Sequence, residues 1–275
     1  MDAQAPDTAL LPSDAKGLED AFGRFEQEAA GAWTVRRYGT VSSTQDIAAG
    51  LPAWSAVVAE CQSDGRGQWR RTFASDPGGL YLTAVLPFNG DSAGWRGFAL
   101  AVGWAVVGAF RAQSIVRLRL RWPNDLMIGD RKVGGILVTQ GKPDTLCVGL
   151  GLNVTNRPWV REPGLRAVAC RLADFARDDL LGAGLLAGTV LGAVRAAYVR
   201  FADFGLGGLA EELNQSWGTS REVRLELAEG APTPELSGRF RGILPNGDLL
   251  LEDAAGTSLA VRSHLVLRLH ERPAP

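Results

Sequence analysis

RWPNDLMIGDRKVGGILV, residues 121–138, predicts a β-hairpin with charged side chains at its mouth. Pro123 disfavours a helix at the residue before it, and Gly129 followed by Asp130 is typical of a tight turn between two apolar strands. Lys132 then opens the returning strand, beside paired glycines that allow a ligand to approach the backbone closely. The pattern favours a lysine that neutralises a phosphate or acyl oxygen. A solvated hairpin lysine is the alternative.

A second segment with ligand-binding features lies upstream, in QSDGRGQWRRTFASDPGGLYLT, residues 62–83. Gly65 and Gly67 permit backbone conformations closed to other residues, so that main-chain N–H groups can approach an anion. Arginine side chains add charge and forked donors suited to phosphate or carboxylate, and they are Arg66, Arg70 and Arg71. An arginine and glycine turn on a solvated surface is the alternative.

Strands and helices are predicted around these two segments. VGLGLNV, residues 148–154, indicates a buried strand that ends in Asn153, and Ser42 or Ser43 is expected to cap a short helix in SSTQDIA. Apolar periodicity predicts helices over residues 94–113, 174–205 and 209–217, and RLRLRW, residues 117–122, alternates like a half-exposed strand.

The pattern of apolar and polar residues changes after Gly218. Short alternating segments separated by turns follow, and Asn246 with Gly247 is a strong hairpin signal. This pattern predicts a small barrel of about five strands.

Composition limits the classes of protein that remain. The 275 residues suffice for two domains, and a formal net charge of -1 gives no electrostatic reason to expect nucleic acid. The three cysteines are scattered without CxxC spacing, so neither a disulfide framework nor a zinc site is supported. The acidic, proline-containing N-terminus does not resemble a secretion signal, and glycines and Arg195 interrupt the apolar stretch near residues 180–199. We therefore expect no membrane span.

Four ordered motifs resemble the catalytic domain of bacterial biotin protein ligases, over about residues 35–270. They are SSTQDIA at 42–48, GRG at 65–67, WPND with Lys132 and GGIL, and GLGLNV at 149–154. The resemblance implies an α+β fold in which a mixed sheet backed by helices precedes an SH3-like C-terminal barrel. The predicted organisation is a mobile leader at 1–30, a catalytic domain at 31–217 and the SH3-like domain at 218–275, without an N-terminal DNA-binding domain.

The resemblance also implies a reaction in two steps. ATP activates biotin as biotinoyl-5'-AMP, and the biotinoyl group then passes to a specific lysine of a biotin carboxyl carrier protein or domain. The implied cofactors are ATP and Mg, with biotin as substrate and the magnesium ion carried mainly by the ATP phosphates. We expect a cytoplasmic enzyme that binds neither nucleic acid nor membrane, and a homodimer is left open.

Site residues follow from matching this chain to the family motifs. The residues expected to act in catalysis are Arg66, Lys132, Asp125 and Asn124. Biotin is expected to contact Ser43, Thr44, Gln62, Gly65, Arg66, Lys132 and Gly135. The nucleotide is expected to contact Gln68, Arg70, Arg71, Phe73, Trp122, Asn124 and Asn153, with Phe73 stacked on adenine. The division of roles between Asn124 and Asp125 stays open.

The glycine-arginine loop departs from the family pattern at two positions. Gln68 stands where the family has a second arginine, and Arg70 stands where it has a later glycine. Since arginine does not freely adopt positive φ angles, we expect this loop to close differently. Two other functions remain in view: a lipoate or octanoate ligase or transferase of the same fold, and a non-catalytic sensor of biotin or nucleotide.

Overall fold

The computed structural model describes residues 33–217 and 221–271 of the chain. The predicted leader, residues 1–30, therefore lies outside the described residues. Two β-sheets are present, and the predicted domain boundary between residues 217 and 218 falls between the last helix of the first part and the first strand of the second.

The first sheet has seven strands in the order β1-β2-β3-β7-β6-β5-β4. Its strands β1 and β2 pair in parallel, and the remaining neighbours are antiparallel, which confirms the predicted mixed sheet. The strands are β1 Thr34–Val41, β2 Ser55–Gln62, β3 Gly79–Pro87, β4 Arg119–Arg121, β5 Asp125–Ile128, β6 Arg131–Gln140 and β7 Thr145–Asn153.

Side chains alternate along the central strand β7 and give the sheet two different faces. Leu146, Val148, Leu150 and Leu152 belong to the main core. Two long helices, α2 (Phe98–Ala112) and α3 (Ala183–Phe204), contribute the other side of that core. The intervening positions Gly149 and Gly151 therefore project towards the opposite face.

The short helix α1 (Thr44–Ala48) covers one end of the opposite face. Ala48 packs with Val57, Val85 and Cys147 in a small separate apolar cluster. Ser43 caps this helix, because its side chain accepts a hydrogen bond from the backbone N–H of Gln45. The predicted cap is thus confirmed, and α1 leaves the rest of this face to loops.

The second sheet has five antiparallel strands in the order β11-β10-β9-β8-β12. They are β8 Arg221–Leu227, β9 Glu235–Ile243, β10 Leu249–Glu252, β11 Ser258–Val261 and β12 Val266–Glu271. The predicted number of strands is confirmed, and so is the hairpin turn, where Gly247 has a φ of 85°. Backbone pairing between the outer strands β11 and β12 is absent from the described residues, so we call this element a sheet and not a closed barrel.

Several predicted element boundaries need correction. The helix predicted over residues 174–205 begins only at Ala183, because Gly182 before it is extended and two short 3-10 turns, Leu172–Asp174 and Asp178–Leu180, take up the preceding segment. RLRLRW forms a strand over Arg119–Arg121 alone. The final short helix is confirmed as α4, Gly207–Trp217.

Helix α3 is long and apolar enough to cross a membrane by length and composition. It is also the helix that packs against α2 and the sheet, and 56% of its most apolar window is buried. A buried core helix of a globular fold passes the same test, so its composition follows from its position in the core.

Candidate active site

Glycines on the open face of the first sheet let three side chains lie directly on the backbone. A Cβ added at any of these glycines would meet the covering side chain at 2.6–3.4 Å. The pairs are Lys132 on Gly135, Gln45 on Gly149 and Phe73 on Gly151. A shallow surface with a cation, an amide and an aromatic ring is therefore built on strands β6 and β7.

Lys132 is held in place by Asp125, which in turn pairs with Arg121. Its Nζ lies 2.5 Å from Oδ1 of Asp125, and the other carboxylate oxygen lies 2.6 Å from the Arg121 guanidinium. Burial would raise the pKa of Asp125, but the two cations and their hydrogen bonds outweigh it and hold this pKa below its usual range. The Lys132 side chain remains 37% exposed, so its cation can also reach a ligand.

The two asparagines predicted as site residues, Asn124 and Asn153, are both buried, and the side chain of each donates a hydrogen bond to a backbone carbonyl. Asn124 donates from Nδ2 to the carbonyl of Ile136 at 2.5 Å, and thereby fixes the strand that follows Lys132. Asn153 donates from Nδ2 to the carbonyl of Cys170 at 3.0 Å and accepts a hydrogen bond from Asn156. Asn156 was not singled out by the sequence analysis, because a polar residue after a strand has no distinctive pattern. Contact of either predicted asparagine with a nucleotide stays a prediction.

A polar cluster lies beside α1 and contains two of the predicted biotin residues. Thr44 donates from both its backbone N–H and its hydroxyl to Oε1 of Gln62, at 2.8 and 3.1 Å. Thr83 donates to the Thr44 hydroxyl at 2.8 Å, and Gln62 donates from Nε2 to Ser75 at 2.8 Å. Thr83 and Ser75 are additions from the structure, since only the strand register places them here. Ser43 adjoins the cluster as the helix cap.

Gly65 lies where no other residue fits. A Cβ at this position would come within 2.3 Å of the Phe73 carbonyl and of the Ser75 hydroxyl. The two ends of the loop are joined by a backbone hydrogen bond, in which the Phe73 N–H donates to the Gly65 carbonyl at 2.7 Å. The atoms that approach this glycine belong to the protein's own loop, and contact of Gly65 with biotin stays a prediction.

Arg66 is oriented by acidic partners. It lies 2.7 Å from Asp46 of helix α1 and 3.7 Å from Asp64, and its side chain is 46% exposed. Arg70 and Arg71 form no ion pair within residues 33–217 and 221–271, and both are exposed. Arg66 is thus held by α1 and Lys132 by the hairpin, and the two cations belong to separate ion pairs.

The loop does not avoid positive φ angles, contrary to expectation. Arg70 has a φ of 55°, and Trp69 before it has a φ of 60° and a ψ of 31°. Left-handed conformation costs a non-glycine residue about 1–2 kcal/mol, so the loop adopts this backbone course at a conformational cost. Trp69 also donates from Nε1 to the carbonyl of Val266, in the second sheet, at 2.9 Å.

Trp122 lies at the boundary between the two sheets. Its side chain is only 2% exposed, and its Nε1 donates to the carbonyl of Gly247 at 3.0 Å. The structure thus explains this tryptophan by packing, and the predicted contact with a nucleotide would require movement of the second sheet. Phe73 is partly exposed and packs edge-on against Tyr81, so stacking on adenine remains a prediction.

An open cationic cavity of about 390 Å³ lies along the loop that follows β7. Arg161 pairs with Asp76 at 2.6 Å, and Arg171 donates to the Thr155 carbonyl at 2.9 Å. No sequence pattern indicated this cluster, because its arginines are scattered through an irregular loop. The residues that line the cavity are Asp76, Thr155, Arg157, Val160, Arg161 and Arg171.

Comparison with known proteins finds similar sequences and structures. Residues 38–153 match the model of the biotin/lipoate A/B protein ligase family. The bifunctional ligase/repressor BirA of Escherichia coli is 29% identical over 221 residues, which are 74% of this chain and 63% of that protein. The biotin--[acetyl-CoA-carboxylase] ligase of Mycobacterium tuberculosis is 28% identical over 220 residues, 78% of each chain.

Solved structures share the fold. The biotin protein ligase of Aquifex aeolicus in complex with biotin and ATP superposes with a TM-score of 0.72 at 24% identity, and covers 87% of this chain and 99% of its own. At this level of identity the likeness shows the fold alone. Over residues 38–153 the chain is therefore similar to the biotin/lipoate A/B protein ligase family.

Proposed function

We propose that this chain is an ATP-dependent biotin protein ligase. The observation that carries the proposal is Lys132, held by Asp125 and extended over Gly135 on a glycine-lined face. The same face bears the polar cluster around Thr44 and Gln62. A cation near one end of the surface and hydrogen-bonding groups near the other suit a substrate with a carboxylate at one end and a polar ring at the other.

The first step would join biotin to AMP. An oxygen of the biotin carboxylate attacks the α-phosphorus of ATP, a P–O bond forms, and the bond to the departing pyrophosphate breaks. Two anions must approach each other, so a fixed cation lowers the barrier. Lys132 supplies that cation, and Arg66 supplies a second one from the loop.

Asp125 would act by orienting Lys132 and not as a base. Both its oxygens already accept from cations, and its lowered pKa keeps it ionised at neutral pH. Asn124 would hold the same hairpin through the Ile136 carbonyl. This division of roles is the one the sequence analysis left open.

The second step would transfer the biotinoyl group. The ε-amine of a lysine on a carrier protein or domain attacks the acyl carbon, an amide bond forms, AMP leaves, and the amine loses a proton. Its nucleophile belongs to the partner, so this chain has to hold the mixed anhydride and keep water away. The glycine-arginine loop, closed through Gly65 and Phe73, is suited to that task.

Magnesium would enter with the nucleotide. Within residues 33–217 and 221–271 there is no group of three or more His, Cys, Asp or Glu side chains that could hold a metal ion. The cationic site fits a metal-nucleotide complex, in which the ion screens the ATP phosphates.

Biotin fits the polar cluster better than lipoate does. A ureido ring offers N–H donors and a carbonyl acceptor, whereas a dithiolane ring offers neither. Gln62, Thr44 and Thr83 provide hydroxyl and amide groups next to the small apolar cluster of α1. We also propose that the enzyme acts in the cytoplasm on a carrier domain, without nucleic acid, and that a homodimer is compatible with this function.

The decisive experiment measures pyrophosphate release from MgATP in the presence of biotin. Release that depends on biotin, followed by labelling of a carrier domain, supports the ligase. Thermal stabilisation by lipoate but not by biotin would contradict the proposed substrate. Binding of biotin without pyrophosphate release would indicate the non-catalytic sensor instead.

A further inference from the structure

Trp69 connects the glycine-arginine loop to the second sheet. Its indole Nε1 donates to the carbonyl of Val266 at 2.9 Å, across 197 positions of sequence. The side chain is 41% exposed, which is high for a tryptophan, so burial alone does not explain its position. Val266 begins β12, which is an outer strand of its sheet, and among the described residues no strand pairs with its outer edge.

The acceptor strand is firmly attached to the first sheet. At its other end, Glu271 pairs with Arg119 at 2.8 Å and with Arg221 at 2.9 Å. Trp217 donates from Nε1 to the Leu120 carbonyl at 2.6 Å, and the main core runs continuously into the second sheet. The carbonyl that Trp69 bonds is therefore part of a rigid surface.

The loop is also attached through the ion pair of Arg66 with Asp46 and through the packing of Phe73 on Gly151, but the backbone hydrogen bonds that flank its tip are internal. Gly67 donates to the Arg71 carbonyl and Phe73 donates to the Gly65 carbonyl, each at 2.7 Å, and both bonds lie within the loop. Its tip consists of two consecutive left-handed residues, Trp69 and Arg70. Such a conformation persists where surrounding contacts hold it, and the bond from Trp69 is such a contact.

We propose that Trp69 is a positioning residue, which fastens the glycine-arginine loop in its closed form to the second sheet. Loss of the bond frees the tip, and the loop then closes over the ligands less often. The effect on catalysis rests on the proposed function, in which Arg66 of this loop supplies a cation. The bond and the closed loop are properties of the fold and are measurable without turnover.

The experiment compares Trp69→Phe with the unchanged full chain by hydrogen exchange, first without ligand and then with biotin and MgATP. Phenylalanine keeps an aromatic ring and removes the N–H donor. Without ligand, exchange at the Gly67 and Phe73 amides should rise about fivefold, as expected from the loss of one neutral hydrogen bond. Amides of the second sheet should exchange as before. The apparent KM for biotin should rise by a similar factor while kcat changes less than about twofold.

Trp69→Ala provides the second variant and Phe204→Ala the matched control, because Phe204 is a 69% exposed aromatic outside the loop. Both Trp69 variants should loosen the loop equally, and the control should not. Unchanged exchange in Trp69→Phe, loosening in Trp69→Ala alone, or a looser loop with an unchanged KM would each overturn the proposal. If exchange rises in the Trp69 variants but the unchanged chain releases no pyrophosphate, the fastening role of Trp69 is supported and the ligase function is refuted. If the unchanged chain is an active ligase and exchange does not rise in the variants, the ligase function is supported and the fastening role is refuted.

Discussion

The hairpin that carries Lys132 and the loop that carries Arg66 hold their cations in different ways. The Lys132 side chain is 37% exposed, and its partner Asp125, which is 16% exposed, lies between two cations on strands of the first sheet. Gly129 occupies the left-handed position of the hairpin turn. In the loop, Arg66 is 46% exposed, and Arg70 occupies a left-handed position itself. The comparison indicates that the Lys132 charge is fixed by strands, whereas the Arg66 charge is carried by a loop and paired with acidic side chains.

Lys132→Ala should have the largest effect, if the hairpin supplies the fixed charge. We expect adenylation to fall by about two to three orders of magnitude, since loss of a preorganised charge donor costs roughly 3–4 kcal/mol in the transition state. The measurement is pyrophosphate release at saturating biotin and MgATP. Lys142→Ala is the matched control, because that lysine is exposed in the turn between β6 and β7. Equal activity in the two variants would remove Lys132 from the mechanism.

Asp125→Asn should have the next largest effect, because it leaves Lys132 in place but removes its partner. Adenylation should fall by about tenfold to a hundredfold, and the free energy of unfolding should fall by about 2 kcal/mol, less than for a fully buried pair because Lys132 is partly exposed. Asp130→Asn is the control, since its side chain is 93% exposed at the hairpin turn. Equal losses of stability in the two variants would contradict the argument.

The same variant gives a pH test. The pKa of Asp125 is depressed in the folded state, so its ion pairs contribute stability above the unfolded-state pKa, about 4. That contribution disappears as the pH falls through the lower folded-state value. The free energy of unfolding of the unchanged chain, measured in urea, should therefore fall as the pH is lowered. In Asp125→Asn this fall should be smaller. An identical acid-side loss in both proteins would assign it to other carboxylates.

Gln68→Arg tests whether the loop binds the biotinoyl-adenylate intermediate more weakly because it lacks this arginine. If the missing charge matters, the variant should slow release of the adenylate by about tenfold, corresponding to 1–2 kcal/mol for a charge-assisted hydrogen bond. Arg70 and Arg71 are exposed, and neither forms an ion pair in the described part of the chain, which favours compensation by one of them. Compensation predicts unchanged release in Gln68→Arg and faster release in Arg70→Ala or Arg71→Ala. Filter-based release of labelled adenylate separates the two outcomes.

The sequence predicted the parts of the molecule that local rules control. Residue period and turn chemistry were sufficient for the Gly129 hairpin, the Ser43 cap and the buried end of β7 at Asn153. The family motifs predicted Thr44 and Gln62 but not their partner Thr83, because that contact depends on the register between β2 and β3.

Tertiary contacts explain the remaining differences. Nothing local in the sequence indicated that Trp122 would be covered by the second sheet, or that Trp69 would reach Val266. The left-handed Arg70 was missed for a related reason. Intrinsic preference opposes that conformation, and only contacts from elsewhere in the fold can outweigh it.

Arg70→Gly should have the smallest effect, and it compares the two regions directly. Arg70 has a φ of 55°, so glycine would relieve a steric cost and stabilise the loop by about 1 kcal/mol at most, after allowing for the greater freedom of glycine in the unfolded chain. Arg71 is the neighbouring control, because its φ of -70° gives glycine no advantage and the same replacement should destabilise slightly. In the hairpin, Gly129 has a φ of 57°, and Gly129→Ala should cost about 1 kcal/mol for the same reason. Thermal unfolding should therefore shift by about 2 °C in opposite directions for Arg70→Gly and Gly129→Ala. Equal shifts for Arg70→Gly and Arg71→Gly would show that the loop is not held in a left-handed conformation, and the contrast with the hairpin would then rest on exposure alone.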